Sequence, residues 1–461
     1  MSWSLFLRSK IFWRTLGKGG RAGAEAGKET CGEAAERVYC KTNSFAGRQT
    51  ADVKPICGEA VHMKEKEMAR YMRHLVLFRD LREEPLAAAL AALLETGDGK
   101  DAEAAACDLA AELYPRGTDL RRKMLELVLE SDNFLIRSAA AGQTPAPEAL
   151  AWLENELMIL EAACMSSAEL AERFQLRGPL PSWTAAPLDF RGAYRRAMEE
   201  APCRGWGIFA RYHVFTLSEE GRLEPVEHPD PQRLSELYGY EAERAKLIQN
   251  TQALLQGLPA NNALLYGDAG TGKSSTVKAL ANEYAGRGLR LIQVEKGRLH
   301  QIPALLDALS GNPLKFLLFI DDLSFASDDR DFTALKTVLE GSVAARGGNT
   351  VVYATSNRRH LVQETFQARQ GDEVHLNDTL EEVASLSARF GIVITFGRPD
   401  RDLYLSVALH LARQMGLETP EEELIREAEA FALRAGGRSP RVARQYIAYK
   451  ISLDTKLPCE K

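Results

Sequence analysis

The residues Gly267-Asp268-Ala269-Gly270-Thr271-Gly272-Lys273-Ser274 decide the fold of this chain. They match the pattern G-x-x-x-x-G-K-[ST], in which glycines let the backbone turn tightly and direct successive N–H groups at phosphate oxygens. The apolar run 263–266 predicts a short strand before the pattern, and apolar residues at helical spacing predict a helix after it. This strand–loop–helix context predicts a phosphate-binding P-loop at the amino end of a helix.

The same pattern predicts which residues contact a nucleotide. Lys273 is expected to reach the β- and γ-phosphates, and the hydroxyl of Ser274 is expected to bind Mg²⁺. The residues of the loop expected to bind nucleotide are Gly267, Asp268, Ala269, Gly270, Thr271, Gly272, Lys273, Ser274 and Ser275.

Apolar stretches elsewhere in the chain predict the other strands of a parallel sheet. They cover residues 289–294, 315–320, 350–357 and 392–396. Continuous apolar strands are expected where a parallel sheet is buried on both faces. Residues 209–217 alternate in polarity and predict one strand of a hairpin. Three helical segments, at about 400–416, 420–435 and 439–453, predict a small helical lid after the last strand.

Polar residues follow two of these strands at the edge where ligands of α/β proteins bind. Asp321 and Asp322 end the strand 315–320, so we expect Asp321 to hold Mg²⁺ and Asp322 to orient or deprotonate an attacking water. Asn357 ends the next strand and is expected to hydrogen-bond the γ-phosphate or the water. A helix N-cap formed by Ser356 or Asn357 is the alternative.

Two arginines are candidates for contact with the transferred phosphate. Arg389 precedes the last strand and is expected to act as an arginine finger on a neighbouring subunit's nucleotide, with an ordinary ion pair as the alternative. Arg441 lies in the first turn of the last helix and is expected to face the phosphates. Its cluster with Arg438 and Arg444 is alternatively a solvated face.

The chain before residue 204 has a different pattern. From Met63 onward it predicts helix after helix, so the fold class expected is an α/β P-loop parallel-sheet core with a C-terminal helical lid, preceded by an all-α N-terminal region. The expected divisions are a poorly ordered basic segment at 1–62, a helical accessory domain at 63–203, a β-hairpin and linker at 204–230, the nucleotide-binding domain at 231–398 and the helical lid at 399–461. A basic amphipathic helix over Met1–Leu16 and a natural start at Met63 are alternatives for the first segment.

The composition is that of an ordinary globular protein. A net charge of −6 and a charged fraction of 26% give no general attraction to nucleic acid, and no apolar run approaches the ~18 residues of a membrane span. The seven cysteines form no C-x-x-C pair, and the histidines form no cluster of ligand spacing. We therefore expect a reduced, cytoplasmic protein without a structural metal.

The segments GDAGTGKS, FLLFIDD, YATSN, SARFG and GGRSPRVAR, in this order and spacing, resemble those of AAA+ ATPases. Residues from about 205 to 455 look like an uncharacterised bacterial family of AAA+ ATP-binding proteins, designated a domain of unknown function. The segments RFGIVITF and RSPRVAR are also similar to parts of the Holliday-junction branch-migration motor. That similarity concerns the AAA+ architecture and carries no substrate.

The resemblance implies ATP and Mg²⁺ as cofactors and assigns roles to the candidate residues. It implies Walker A for Gly267 to Ser274, Walker B for Asp321–Asp322, sensor 1 for Asn357, the arginine finger for Arg389, sensor 2 for Arg441 and the adenine-flanking motif for Tyr238 and Gly239. The second Walker B acid is usually Glu in AAA+ proteins, whereas this chain has Asp322. Because Asp is shorter by one methylene, we expect the water to be held less well and turnover to be slow.

Three functions fit these predictions. The first is an ATPase that forms a ring or dimer and remodels or assembles an unidentified protein or nucleic-acid client. The second is a nucleotide-dependent switch or scaffold with little turnover, which Asp322 favours, so whether the chain is an enzyme stays open. The third is a P-loop kinase, which is disfavoured because Asn357 and the lid with Arg441 have no clear use in it.

Overall fold

The computed structural model describes residues 63–96, 100–323, 335–336, 339, 348–357 and 389–454. The helical amino-terminal region, the α/β core and the carboxy-terminal helices all fall within these ranges. The predictions for residues 1–62 lie outside the described residues.

The amino-terminal region consists of helices packed around a core rich in leucine and alanine. The helices are α1 (Glu65–Arg73), α2 (Pro85–Thr96), α3 (Lys100–Leu113), α4 (Leu120–Glu130), α5 (Phe134–Ala140), α6 (Pro147–Ala163), α7 (Ser167–Arg173), α8 (Phe190–Arg204) and α9 (Ile208–Arg211). Several begin at side chains that accept a hydrogen bond from a free backbone N–H, such as Asn133 before α5 and Asp189 before α8. The all-α character predicted for this region is confirmed.

A seven-stranded sheet follows, with β1 (Val214–Leu217), β2 (Leu223–Pro225), β3 (Ala263–Gly267), β4 (Leu289–Gln293), β5 (Lys315–Ile320), β6 (Thr350–Ser356) and β7 (Ile392–Phe396). The strand order is β2-β1-β4-β5-β6-β3-β7. Among the described strands, the β1–β2 pair is antiparallel and the other pairs are parallel. Because β6 lies between β5 and β3, the residues that end these three parallel strands meet at the same end of the sheet.

Both faces of the sheet are buried, as the continuous apolar strands predicted. In β5, Phe316, Leu318 and Ile320 belong to one core, and Leu317 and Phe319 belong to the other. In the part of the chain that the structure describes, the helices that cover the sheet are α10 (Glu241–Leu255), α11 (Lys273–Tyr284) and α12 (Ile302–Leu309). Helices therefore cover both faces of the parallel sheet, and a ligand can reach it at the ends of the strands.

The first strand is shorter than the alternation of residues 209–217 predicted. It begins at Val214, because residues 208–211 form the short helix α9. The ring of Phe209 packs edge-on against Phe215 at 5.1 Å and Phe316 at 5.5 Å. Apolar contact with the sheet therefore determines the position of Phe209, and the strand pattern does not extend to it.

Three helices complete the described chain, namely α13 (Arg401–Gln414), α14 (Glu421–Arg434) and α15 (Pro440–Asp454). They have their own core, in which Tyr404, Ala428 and Ile447 are fully buried. Their bounds agree with the three predicted segments to within two residues. The predicted fold class of a parallel-sheet core with a C-terminal helical lid is confirmed. Among the described helices, none is long and apolar enough to cross a membrane.

Candidate nucleotide-binding site

The predicted P-loop joins the end of β3 to the start of α11, and two of its glycines allow close contacts. Gly267 has a φ of 138°, and a Cβ there would lie 2.0 Å from the carbonyl oxygen of Phe396 on β7. Gly270 has a φ of 79°, and a Cβ there would lie 3.0 Å from Cβ of Arg441. Glycine is therefore required where the loop meets the edge strand and where it meets the lid.

Lys273 begins α11 and is buried in the loop. Its Nζ donates to the carbonyl oxygens of Gly267 at 2.9 Å and Asp268 at 2.7 Å, and to Oδ1 of Asn357 at 3.0 Å. Burial lowers the pKa of Lys273 below its ordinary value, although the nearby aspartates oppose this change. A partly desolvated ammonium attracts an anion more strongly than an ammonium in water does.

The two predicted acids lie beside the loop because β5 ends next to β6. Oδ1 of Asp321 accepts hydrogen bonds from the hydroxyls of Ser274 and Thr355, both at 2.6 Å. Oδ1 of Asp322 accepts a bond from Nδ2 of Asn357 at 2.7 Å. The sequence patterns did not single out Thr355, whose only signal is its place two residues before Asn357 at the end of a buried strand.

Asn357 joins the lysine to the second acid, because its Oδ1 accepts from Lys273 and its Nδ2 donates to Asp322. A continuous hydrogen-bonded chain therefore runs through six residues, which are Lys273, Asn357, Asp322, Thr355, Asp321 and Ser274. Its links join side chains except for one, in which the backbone N–H of Asp322 donates to Oγ1 of Thr355. The alternative role of Asn357 as a helix N-cap concerns residues after 357 that lie outside the described residues.

The lid closes over the loop through the first turn of α15. The backbone N–H of Arg441 donates to the carbonyl of Gly270 at 3.2 Å, and Ser439 caps α15 by accepting from Val442 at 3.2 Å. The arginine cluster of this turn is divided between two environments. Arg438 pairs with Glu429 at 2.7 Å, whereas Arg441 and Arg444 line a cavity.

This cavity has a volume of about 500 Å³ and lies between the loop, the strand ends and the lid. The predicted site residues that line it are Ala269, Gly270, Thr271, Gly272, Lys273, Ser274, Ser275, Tyr238, Asp321, Asp322, Asn357 and Arg441. Gly267, Asp268 and Gly239 are not among its lining residues. The first two contribute carbonyl oxygens that bind Lys273.

The segment before α10 forms one end of the cavity. The ring of Tyr238 stacks on His410 of α13 with a centroid distance of 4.6 Å and an interplanar angle of 19°. Gly239 has a φ of 81° and packs against Leu403 of the same helix. Arg244 donates to the carbonyl oxygens of Leu237 and Gly239 and so holds this turn in place. The sequence patterns did not identify His410, because its role depends on where the lid docks.

The structure does not bring Arg389 to this cavity. It lies three residues before β7, which runs parallel to β3 and pairs with it in register from Ile392 to Phe396. Arg389 therefore lies at the end of the sheet opposite to the P-loop, and the length of the strand, roughly 13–17 Å, separates it from the loop. Its side chain is half-buried and makes contacts in its own chain.

The donor set fits Mg²⁺ and a nucleotide. Hydroxyl and carboxylate oxygens of Ser274 and Asp321 are the hard ligands that Mg²⁺ prefers. Lys273, Arg441 and Arg444 bring positive charge to the same cavity, and the amino end of α11 adds its helix dipole. The residues present could hold a phosphate chain together with its metal ion.

Comparison with known proteins identifies the family. Residues 210–453, more than half of the chain, match the family described as "Protein of unknown function (DUF815)". The chain belongs to this family. Together with the fold, this membership confirms the prediction of an uncharacterised AAA+ P-loop family.

More distant similarities concern parts of the chain. It is 37% identical over 65 residues to the replication factor C large subunit of Staphylothermus marinus, which covers 14% of this chain and 15% of that protein. Among solved structures, a variant of Thermotoga maritima RuvB has a TM-score of 0.34 and 18% identity, covering 49% of this chain and 66% of that one. The Thermotoga maritima RuvB Holliday junction branch migration motor has a TM-score of 0.29 and 17% identity, covering 48% and 72%. The chain thus spans less than two thirds of the replication factor C subunit and about two thirds of the RuvB variant.

Proposed function

We propose that this DUF815 protein binds Mg·ATP at the cavity between its core and its lid and hydrolyses it, acting as an oligomer on a macromolecular client. The observation that carries the proposal is the continuous chain of hydrogen bonds from Lys273 to Ser274. The side chains in it other than that of Thr355 are of types that bind phosphate, bind Mg²⁺ or orient water, and each of its residues already contacts the next.

The P-loop and the lid would bind the triphosphate. Lys273 would exchange its loop carbonyls for the β- and γ-phosphates, and Arg441 would contact the phosphates from the lid side. Ser274 and Asp321 would hold Mg²⁺, which when bound neutralises charge on the β- and γ-phosphate oxygens. Apart from this exchange at Lys273, the groups already lie around the cavity, so they need little reorganisation on binding.

Asp322 and Asn357 would act on the attacking water. In hydrolysis the water oxygen bonds to the γ-phosphorus while the bond from that phosphorus to the bridging oxygen breaks, giving ADP and phosphate. Asp322 would orient the water and take its proton, which then passes to solvent. Asn357, already bonded to the carboxylate of Asp322, would keep it in place.

The end of the cavity at Tyr238 supports adenine as the base. The backbone N–H and C=O of Tyr238 form no hydrogen bond to another described residue, so both are available to a ligand. Adenine offers an acceptor at N1 and a donor at N6, which match a backbone donor and acceptor; guanine presents the opposite pattern. We therefore propose that the site prefers ATP to GTP.

Oligomerisation would explain the placement of Arg389. An arginine at the end of the sheet opposite to the P-loop cannot reach the nucleotide of its own chain, whereas a head-to-tail neighbour would bring its own nucleotide site to that end. Arg389 would then act as a finger on that neighbour's γ-phosphate. We also propose the five-part domain division predicted from the sequence. In it, the helical region before the core would recruit a client.

A switch or scaffold with little turnover is the second candidate. It is favoured by Asp322, which is shorter than glutamate, and by the hydrogen bond that Asn357 makes to it, which occupies one of its oxygens. In this reading, binding of Mg·ATP changes the lid or the assembly, and hydrolysis only resets it slowly.

The test is to measure ATP turnover by the purified chain together with its mass in solution, with and without Mg·ATP. Lys273→Ala, purified in the same way, controls for contaminating ATPases. Hydrolysis together with ATP-dependent assembly would support the oligomeric ATPase. Tight ATP binding to a monomer without turnover would contradict it and support the switch.

A further inference from the structure

One buried residue, Thr355 on β6, bonds to three consecutive residues of the turn that carries the acids. Its Oγ1 donates to Oδ1 of Asp321 at 2.6 Å and accepts from the backbone N–H of Asp322 at 2.9 Å. Its carbonyl accepts from the backbone N–H of Leu323 at 2.7 Å. The side chain is 1% exposed, so water does not compete for these bonds.

The turn needs such support because its backbone is strained. Asp322 has a φ of 55°, in the left-handed region that residues with a Cβ rarely adopt. Such a conformation persists only where surrounding contacts hold it, and strained residues of this kind cluster at functional sites. The bonds from Thr355 to Asp322 and Leu323 are contacts of this kind, on the side of the turn that faces the sheet.

The hydroxyl also determines which oxygen of Asp321 is left for a metal. Oδ1 accepts from both Ser274 and Thr355, so these two hydroxyls occupy its side of the carboxylate. Oδ2 is left as the oxygen that can bind a cation, and the two donors prevent the carboxylate from rotating. Thr355 also lines the cavity, but its hydroxyl is already bonded to the two acids, so it acts on the nucleotide site through them.

We propose that Thr355 is a positioning residue for turnover, which sets the metal-binding oxygen of Asp321 and the strained backbone of Asp322. The proposal rests on the Mg·ATP function proposed above and goes beyond it by separating binding from catalysis. Losing the hydroxyl should leave the P-loop contacts to nucleotide intact while it weakens the contribution of Mg²⁺ and slows hydrolysis.

The experiment compares Thr355→Val, which removes the hydroxyl at nearly constant shape, with Thr355→Ser, which keeps it. Thr251→Val is the matched control, because Thr251 is also fully buried and its hydroxyl bonds to Leu247 and Tyr353 in the core, away from the cavity. For each full-length variant, ATP affinity is measured by calorimetry in EDTA and in Mg²⁺, alongside turnover and the melting temperature.

We expect Thr355→Val to bind ATP in EDTA within about threefold of the parent, and to lose roughly 10- to 100-fold in turnover, the size expected when hydrogen bonds to a charged group are removed. The gain in ATP affinity from Mg²⁺ should fall roughly 10-fold. Thr355→Ser should keep most of the turnover and most of the gain in ATP affinity from Mg²⁺. Thr251→Val should lower the melting temperature without changing either quantity.

Two results would overturn the proposal. One is that Thr355→Val keeps both the Mg²⁺-dependent affinity and the turnover of the parent. The other is that Thr355→Ser fails as Thr355→Val does, because the hydroxyl would then not be the group that matters. If the parent protein itself does not hydrolyse ATP, the proposed ATPase function fails instead, and the Mg²⁺ dependence of ATP binding still decides the role of Thr355.

Discussion

The contact between the P-loop and the lid can be tested at Gly270, where an alanine places a methyl group between the two and adds a backbone cost that a control variant can measure. At Gly270 a Cβ would lie 3.0 Å from Cβ of Arg441 and 3.1 Å from Oγ of Ser439. Ordinary contacts between such atoms are about 3.5–4.0 Å. The first turn of α15 therefore has to move by a few tenths of an ångström, because the Cβ of Arg441 is tied to its backbone and cannot swing aside.

Gly257 supplies the matched control for the backbone cost. It has a φ of 72°, close to the 79° of Gly270, and a Cβ there would have no atom within 4 Å. Alanine in the left-handed region costs about 1–2 kcal/mol, so both variants should lose about this amount of unfolding free energy in urea. Only Gly270→Ala should displace the lid.

Turnover separates the two variants. A displacement of Arg441 from the phosphates by a few tenths of an ångström should reduce turnover by roughly 3- to 5-fold in Gly270→Ala, whereas Gly257→Ala should hydrolyse ATP at the rate of the parent. Steady-state ATP hydrolysis at saturating Mg·ATP, with urea unfolding of the nucleotide-free proteins, gives both numbers. Equal turnover in the two variants would refute the close approach of lid and loop.

Three further predictions concern the other residues of the site. Lys273→Ala should abolish hydrolysis and weaken ATP binding. Burial lowers the pKa of Lys273, so just below the ordinary lysine pKa the unfolded chain binds more protons than the folded chain, and the stability of the nucleotide-free parent should rise with pH in that window. Urea unfolding as a function of pH should show this rise in the parent and not in Lys273→Met. Asp322→Asn should keep ATP affinity, measured by calorimetry, and stop turnover; normal hydrolysis by this variant would exclude Asp322 as the group that handles the water. Mixing Arg389→Ala with Lys273→Ala subunits should restore hydrolysis, because half of the mixed interfaces pair an intact P-loop with an intact Arg389. A mixture as inactive as its components argues against a finger supplied between chains.

Local patterns in the sequence were sufficient for the elements and for most of the candidate site. The spacing of glycines around Lys273 identifies the P-loop, because phosphate binding needs those residues next to one another in the chain. The runs that became β3 to β7 were recognisable since both faces of a parallel strand must be apolar. The prediction that the hairpin strand begins at Phe209 was wrong. A contact with Phe316, which is distant in the sequence, outweighed the local alternation of polar and apolar residues.

The sequence by itself thus determined the fold class, the phosphate-binding loop, the acids that end β5 and the three lid helices, because each depends on residues that are neighbours in the chain. Only the tertiary structure decided that Thr355 lies against both acids and that Arg389 lies at the end of the sheet opposite to the P-loop. It also decided that Arg441 lines the cavity while Arg438 pairs with Glu429. These relations depend on strand order and on lid docking, which bring together residues far apart in the chain and leave no periodic signal in its sequence.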